Sequence, residues 1–274
     1  MSHFITLVAS ERKKGNSDLL GRVAIRYGLR AGADSAEIVY LRNFHLEQCQ
    51  GCMSCTFNQT KCRIEDDLYR LLDILQDADQ LLLIAPVYVL SIPGKLKMLI
   101  DRFLAIAGYF SDRPVLPAMS IGIAALSDWH QFQLPLMNIG LLALGRTVID
   151  SFILYGAGPG EVLIHPGIER VQNGVKKLIQ YEPKPFKSQV SNHCPVDFCT
   201  MFERINGNQY RCPVCLTPVQ IREEGFYFDA KDLNNHRWTR ENIKKHFVEW
   251  ILQTKPRFMS MLKQIIKIKK ELEL

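Results

Sequence analysis

Five times in the first 181 residues, a short apolar run of strand length gives way to a polar loop and then to a stretch with helical periodicity. The runs are Phe4–Ala9, Ser35–Tyr40, Gln80–Ala85, Pro117–Leu126 and Thr147–Tyr155. Leu19, Leu20, Val23 and Tyr27 recur at helical spacing from Asn16 or Ser17 onward, as do Leu68, Leu71, Leu72 and Leu75 after Glu65-Asp66-Asp67. The two aspartates read as helix caps. Further helices are expected from Pro93, over 134–144 and over 168–181. Strands alternating with helices in this way predict an α/β fold with a doubly wound, five-stranded parallel sheet. In such a sheet, ligands bind beyond the carboxyl ends of the strands. Four loops leave such ends and therefore share one rim: Ser10–Ser17, the loop holding Cys49 to Cys62, the loop around Tyr88, and Ser127-Asp128-Trp129-His130.

Four of the eight cysteines fall in the second of these loops, as Cys49-Gln50-Gly51-Cys52-Met53-Ser54-Cys55 followed by Cys62. Three thiolates at CxxCxxC spacing plus a fourth nearby is how a chain wraps a [4Fe–4S] cube. Zinc sites more often bring two separated pairs, so zinc is the competing reading here. Gln48, Gln50, Ser54, Thr56, Asn58, Gln59 and Thr60 make the loop too polar for a set of buried, unliganded cysteines.

The loop after the first strand reads Ser10-Glu11-Arg12-Lys13-Lys14-Gly15-Asn16-Ser17 and opens a helix. A helix N-terminus presents free N–H groups and the positive end of its dipole to an anion. Ser10, Arg12, Asn16 and Ser17 add side-chain donors. The loop is neither GxGxxG nor a Walker A sequence, and it suits one terminal phosphate better than a pyrophosphate. The loop after the third strand, Pro86-Val87-Tyr88-Val89-Leu90-Ser91, places an aromatic where it can lie on a flat ring.

A linker is expected at 182–190, which has two prolines and no periodicity. Cys194 and Cys199, then Cys212 and Cys215, follow as two pairs around an Asn206-Gly207 turn signal, the pattern of a zinc ribbon over 191–228. A rubredoxin-like iron site is the alternative metal, and His193 is an alternative ligand beside the loosely spaced first pair. A module of about 35 residues cannot build a sufficient core, so the metal has a structural role. The remainder, 229–274, reads as a helical segment with Thr239 as an N-cap. Ile243, Phe247, Trp250, Ile251, Phe258, Met261, Leu262 and Ile265 line one face of it, and Pro256 is expected to kink or split it. That face is apolar enough to dock on the body or on a second copy.

Composition narrows the function classes. The longest apolar run, Leu81 to Leu90, contains a proline and is half of what a bilayer requires. No basic segment precedes the first apolar run, and cysteines grouped as CxxC point to metal binding in a reducing, cytoplasmic compartment. The formal charge is +6. Two four-thiolate metal sites of about −2 each would bring it near about +2. The basic balance is therefore not read as a nucleic-acid signal, and the lysines from Lys263 to Lys270 read as a solvated face.

Together these features resemble the flavodoxin-like NAD(P)H-dependent FMN reductase superfamily, and within it the iron–sulfur flavoproteins. The resemblance rests on Gly15-Asn16-Ser17, on Pro86-Val87-Tyr88 with Pro93, Leu96-Lys97 and Asp101-Arg102, and on Cys49, Cys52, Cys55 and Cys62 followed by Asp66-Asp67. It covers roughly residues 1–181, making that span a flavodoxin-like FMN-binding domain. It implies that Ser10, Arg12, Asn16 and Ser17 hold the FMN phosphate, and that Pro86, Val87, Tyr88 and Ser91 line the flavin ring. The first loop departs from the Gly-Ser-Pro-Arg type common in the family. The expected function is an oxidoreductase using FMN, a [4Fe–4S] cluster and structural Zn2+. Its expected partners are a ferredoxin-like one-electron carrier or NAD(P)H, stacked directly on the flavin, and a second copy of the chain. Two alternatives remain: an FMN or quinone reductase with zinc only, and a redox-sensing binding protein that uses its ribbon.

Overall fold

The computed structural model describes residues 2–110 and 114–273. β1 (His3–Val8), β2 (Ser35–Tyr40), β3 (Gln80–Pro86), β4 (Leu116–Ala124) and β5 (Arg146–Tyr155) form one parallel sheet in the order β2-β1-β3-β4-β5. This is the flavodoxin-like strand order. Between the strands run α1 (Asn16–Ala31), α2 (Ser54–Phe57), α3 (Leu68–Gln76), α4 (Gly94–Asp101), α5 (Phe103–Phe110), α6 (Gln133–Ala143) and α7 (Gly167–Ile179).

Successive strand residues point to opposite faces, so each central strand feeds two cores. Phe4, Leu82, Ile84 and Met119 meet Leu20 and Ala24 of α1 and Val171, Val175 and Leu178 of α7. Ile5, Leu7, Leu81 and Leu83 meet Leu68 to Leu75 of α3, Leu96 and Leu99 of α4 and Leu141 of α6. Burying the large members of such a cluster contributes about 1.5–3 kcal/mol each relative to exposure. α1 lies so close to β1 that a Cβ on Gly28 would stand 2.4 Å from the Phe4 ring, which explains the glycine there.

The second core does not stop at the parallel sheet. It continues into Val219 and Phe228 of a smaller antiparallel sheet and into Cys194, Val196, Cys212 and Val214 of the loops between its strands. That sheet comprises β6 (Gln189–Ser191), β7 (Glu203–Asn206), β8 (Gln209–Arg211), β9 (Pro218–Arg222) and β10 (Gly225–Phe228), in the order β6-β10-β9-β8-β7. β6 begins inside the stretch read as a linker, because Gln189 and Val190 pair with Phe228 and Tyr227. β7 and β8 form the hairpin expected at Asn206-Gly207, with Gly207 at φ 44°.

The chain continues through α8 (Ala230–Leu233), α9 (Arg240–Lys245), a π-helical turn (His246–Ile251) and α10 (Leu252–Glu271). Thr239 caps α9 by accepting from the Asn242 N–H at 3.2 Å, as expected. Pro256 does not split α10, which runs through it. An irregular π turn precedes α10, over His246–Ile251. No residue of α10 is buried, and Phe258, Met259, Ile266 and Ile268 are exposed. The side chain of Phe247 lies outside the described residues. No helix among those described is long and apolar enough to cross a membrane.

Candidate functional site

The carboxyl ends of the parallel strands carry four loops joined in sequence by hydrogen bonds. The first is the β1–α1 loop. Ser10 and Ser17 are buried at its two ends, and Arg12 is exposed with its stem folded over Gly15, 3.1 Å from where a Cβ would sit. The N–H groups of the first turn of α1 have no partner within the helix and face this loop. Asp18 holds the loop from inside, accepting from the Lys14 N–H at 2.9 Å and from the Tyr40 hydroxyl. Burial alone would raise the Asp18 carboxyl, but Tyr40, the Lys14 N–H and Arg22 outweigh it and hold the carboxyl below its ordinary value.

Asn16 reaches across the rim with its side chain. Its amide donates to the Gly156 carbonyl at 3.0 Å and accepts from the Gly160 N–H at 2.7 Å. Both ends of that side chain therefore tie the first loop to the loop after β5. Of the four residues expected at the phosphate, Asn16 has both ends of its amide engaged in this way.

The Tyr88 loop is a tight turn. Tyr88 and Ser91 exchange both backbone bonds, at 2.8 and 3.1 Å, with Val89 and Leu90 in the left-handed region at φ 47° and 68°. A β-branched residue at positive φ is strained by roughly 1–3 kcal/mol, and such strain collects at ligand sites. Pro86 ends β3, and the Val87 N–H donates to Ile123 at 2.7 Å, so both line the base of the turn. The turn is held to the next loop by the Phe132 N–H, which donates to the Leu90 carbonyl at 3.0 Å. Beneath it, fully buried Gln133 donates to the Ala85 and Pro86 carbonyls at 3.2 Å, and its Oε1 has no partner. His130 meets the Tyr155 hydroxyl through Nε2 at 3.0 Å. Tyr88, Trp129, Phe132 and Tyr155 are each about half exposed, an unusual density of aromatic surface for one edge. Sequence reasoning missed Phe132 and Tyr155, although each stands at the boundary of an expected element.

Beside this rim a cleft of about 470 Å3 opens between Ser91 and Phe132 on one side and Met201, Pro213, Val214 and Trp238 on the other. A larger cleft, about 860 Å3, lies between Phe103, the Cys215–Pro218 segment and Trp250, away from these loops. The smaller one borders the aromatic rim and is the cleft relevant to it.

The cysteine loop leaves the carboxyl end of β2 at the same edge. Gly51, Met53 and Gln59 turn it through left-handed conformations at φ 63°, 59° and 50°. Cys49 and Cys52 are exposed, while Cys55 and Cys62 are half buried against the core. Asp66 is more than the helix cap it reads as. Its side chain is 0% exposed and pairs with Arg102, itself 2% exposed, at 2.6 Å. Asp66 also accepts from the N–H groups of Glu47 (2.9 Å) and Leu68 (3.2 Å), and Arg102 donates to the Glu47 carbonyl at 3.2 Å. The pair thus clamps the two ends of the loop together. Asp67 accepts from the His45 N–H at 2.7 Å. Arg102 also stands beside Cys62, and its buried Nε–H has no partner.

A single ion with bonds of about 2.3 Å needs thiolates about 3.8 Å apart. Among the described residues, the group of three or more ligand atoms closing within 4.8 Å of one another is in the ribbon and does not include Cys49, Cys52, Cys55 or Cys62. A cube binds each cysteine to a separate iron. Four cysteines on a polar loop, with an unsatisfied guanidinium N–H beside one of them, form a donor set that fits an anionic iron–sulfur group.

In the ribbon, the sulfurs of Cys194, Cys212 and Cys215 and a carboxylate oxygen of Asp197 lie within 4.8 Å of one another, all buried. Cys199, expected among the ligands, is buried beside them, its thiol in contact with Cys212 and 3.3 Å from the Met201 carbonyl, but it does not close within 4.8 Å of every member of this group. His193 is stacked on Phe198 with ring centroids 4.7 Å apart and is likewise outside it. The ribbon is tied to the sheet through α6. Asn138 donates to the Asp197 carbonyl at 2.7 Å and to Ser151 at 3.0 Å, and accepts from Ser120 at 2.7 Å.

The family model for NADPH-dependent FMN reductase matches residues 3–156. The chain belongs to that family, and several of the curated proteins it resembles are named iron–sulfur flavoproteins. An iron–sulfur flavoprotein of Archaeoglobus fulgidus is 27% identical over 132 residues, covering 47% of this chain and 65% of the relative. One of Methanosarcina thermophila is 26% identical over 181 residues, covering 62% of this chain and 89% of the relative. A flavone synthase of Aspergillus candidus is 23% identical over 214 residues, covering 67% of this chain and 66% of the relative. For the Archaeoglobus fulgidus protein and one from Methanocaldococcus jannaschii, the chain spans 65% and 50% of their length. Among solved structures, a flavone reductase superposes with a TM-score of 0.72 at 16% identity, covering 99% of this chain and 96% of its own. The fold shared with it therefore includes the ribbon and the C-terminal helices. The NAD(P)H:quinone oxidoreductase of Methanothermobacter marburgensis superposes at 0.53 with 22% identity, covering 67% of this chain and all of its own.

Proposed function

We propose that this protein is an FMN-dependent oxidoreductase passing electrons between a one-electron carrier of the ferredoxin kind, or NAD(P)H, and an acceptor, with FMN and a [4Fe–4S] cluster at one rim of the sheet. The observation that carries the reading is the physical continuity of that rim. Asn16 joins the phosphate loop to the loop after β5, His130 joins Tyr155, and Phe132 joins the Tyr88 turn. Bound there, FMN supplies exchange between two-electron and one-electron chemistry, and the cluster supplies single-electron exchange.

The chain's own contribution is placement. Ser10, Arg12, Ser17 and the first-turn N–H groups of α1 bind a terminal phosphate. The Tyr88 turn, with Pro86, Val87 and Ser91, orients a flat ring against half-exposed aromatics. α4 is about 12 Å long by its residue count and begins just after that turn. Its far end carries Arg102, beside Cys62. One helix therefore fixes the flavin loop and the cysteine loop relative to each other. The cleft bounded by Phe132 and Trp238 admits a planar aromatic acceptor, the class for which the Aspergillus relative is named. The exposed apolar residues of α10 are suited to a second copy of the chain.

The phosphate assignment is tested by comparing FMN with riboflavin, which lacks the phosphate. Arg12→Ala is expected to weaken FMN binding about 10- to 100-fold, the loss of one charge-assisted bond. Riboflavin binding should not change. Equal weakening of both ligands would remove Arg12 from the phosphate site.

A further inference from the structure

The two metal-binding loops of the ribbon are copies of one another in backbone, and their sequences align when Cys194-Pro195-Val196-Asp197-Phe198-Cys199 is laid on Cys212-Pro213-Val214-Cys215-Leu216-Thr217. In the first loop the Cys194 N–H donates to the Cys199 carbonyl at 2.8 Å, and the Phe198 N–H to the Cys194 carbonyl at 2.8 Å. In the second, the Cys212 N–H donates to the Thr217 carbonyl at 2.9 Å, and the Leu216 N–H to the Cys212 carbonyl at 2.9 Å. The fifth position is left-handed in both, at φ 58° for Phe198 and 63° for Leu216. With the same backbone path, the first and fourth side chains of each loop are presented to the same centre. Those positions hold Cys194 and Asp197 in one loop and Cys212 and Cys215 in the other. Cys199 occupies the place of Thr217, the sixth position.

The side-chain geometry agrees. Asp197 is 0% exposed. Its Oδ2 lies 3.5 Å from the Cys194 sulfur and 3.2 Å from that of Cys212, and its Oδ1 lies 3.4 Å from Cys212. The Cys194 and Cys215 sulfurs are 3.3 Å apart. The sixth residue supports the fourth in each loop, the Cys199 N–H donating to Asp197 Oδ1 at 3.0 Å and the Thr217 hydroxyl lying 3.0 Å from the Cys215 sulfur. Among the described residues the carboxylate meets the Cys194 and Cys212 thiols and the Cys199 N–H, and a fully buried carboxylate needs a cation or a proton.

From this we infer that the ribbon's metal is held by Cys194, Asp197, Cys212 and Cys215, with Asp197 in place of Cys199 as the fourth ligand. The inference rests on the reading of the ribbon as a metal site. Three thiolates and one carboxylate form a harder donor set than four thiolates. That set suits a divalent ion of borderline softness such as Zn2+ and disfavours a rubredoxin-like iron site. Asn138, which holds the Asp197 carbonyl, makes the ligand loop continuous with the parallel sheet.

The test uses Co2+ as the probe, under anaerobic conditions, in the full chain carrying Cys49→Ser, Cys52→Ser and Cys55→Ser, so that thiolate-to-cobalt absorption reports the ribbon. Cys199→Ser is expected to leave that absorption unchanged. Asp197→Cys is expected to raise it by about one third, three thiolates becoming four. A drop of about one quarter on Cys199→Ser, with no gain on Asp197→Cys, would restore Cys199 as the ligand and overturn the inference while leaving the metal site standing. Failure of the background chain to take up Co2+ would overturn the metal reading itself, and the inference with it.

Discussion

Replacing Arg102 with methionine is expected to destabilise the protein by about 3–5 kcal/mol, the cost of leaving a buried charge without its partner. The loss is large against a total stability of about 5–15 kcal/mol. The Asp66 carboxylate would stay fully enclosed with only the Glu47 and Leu68 N–H groups to answer it. Burial pushes the Asp66 carboxyl up, and in the native protein Arg102 and those N–H groups outweigh burial and hold it below its ordinary 3.8. Its contribution is therefore present above pH 3.8 and is lost as pH falls through the lowered value. In the variant the sign reverses. Burial would dominate and raise the folded-state value, so the penalty is greatest at neutral pH and shrinks on acidification, as Asp66 takes up a proton. Urea midpoints at pH 7 and pH 5 for the native chain, Arg102→Met and the double variant Asp66→Asn with Arg102→Met measure this. The double variant should recover most of the loss, because both buried charges are gone. A pH-independent loss, or no recovery, would mean that the pair is not what clamps the loop.

Stripping the ribbon of its metal with a chelator is expected to produce a second large effect, confined to one part of the molecule. In isolated zinc-binding modules, metal binding supplies about 10–16 kcal/mol of apparent folding free energy. The ribbon has little else of its own. β6, β7 and β8 are short, and most of their residues are exposed or half exposed. What remains is its share of the common core and the Asn138 bond to the Asp197 carbonyl. Hydrogen exchange should therefore lose protection over residues 189–228 on chelation while β1, β3 and β4 keep theirs. Because Met201, Pro213 and Val214 wall the cleft beside Phe132, acceptor binding should fall while FMN binding persists. Uniform loss of protection across both sheets would show that the two parts unfold as one unit and that the ribbon depends on the common core, not on its ligands.

Much of this arrangement is legible in the sequence, and the reasons differ by part. The parallel sheet is readable because central strands buried on both faces must be continuous apolar runs, as Leu81 to Ala85 shows, and because α1 and α3 carry their apolar residues at helical spacing. The cysteine loop is readable because four thiols so close together in a polar segment point to a metal centre, and the Tyr88 loop because it leaves the carboxyl end of a strand. The sequence is less informative about contacts between distant segments. Asp66 looks like a cap because it precedes a helix, and only the fold brings Arg102 to it. Asn16 looks like a phosphate donor, yet its amide is drawn to Gly156 and Gly160 by the crossing of β5. Asp197, which we infer to be a ligand, is hidden in the sequence for another reason. Counting cysteines pairs Cys194 with Cys199, whereas aligning Cys-Pro-Val-Asp with Cys-Pro-Val-Cys pairs positions and needs no structure. The strand in Gln189 and Val190 is hidden by the prolines before it, since a short edge strand has no periodicity to detect.

The central claim is that two redox centres share one rim of the parallel sheet. Anaerobic reductive titration of the purified protein, followed by its visible spectrum and by iron and flavin counts, tests it most directly. The account predicts uptake of about three electrons per chain, two by FMN and one by a cluster of about four iron atoms. Uptake of two electrons by a chain holding FMN but no iron would contradict it and leave a flavin reductase whose Cys49, Cys52, Cys55 and Cys62 take no part in electron transfer.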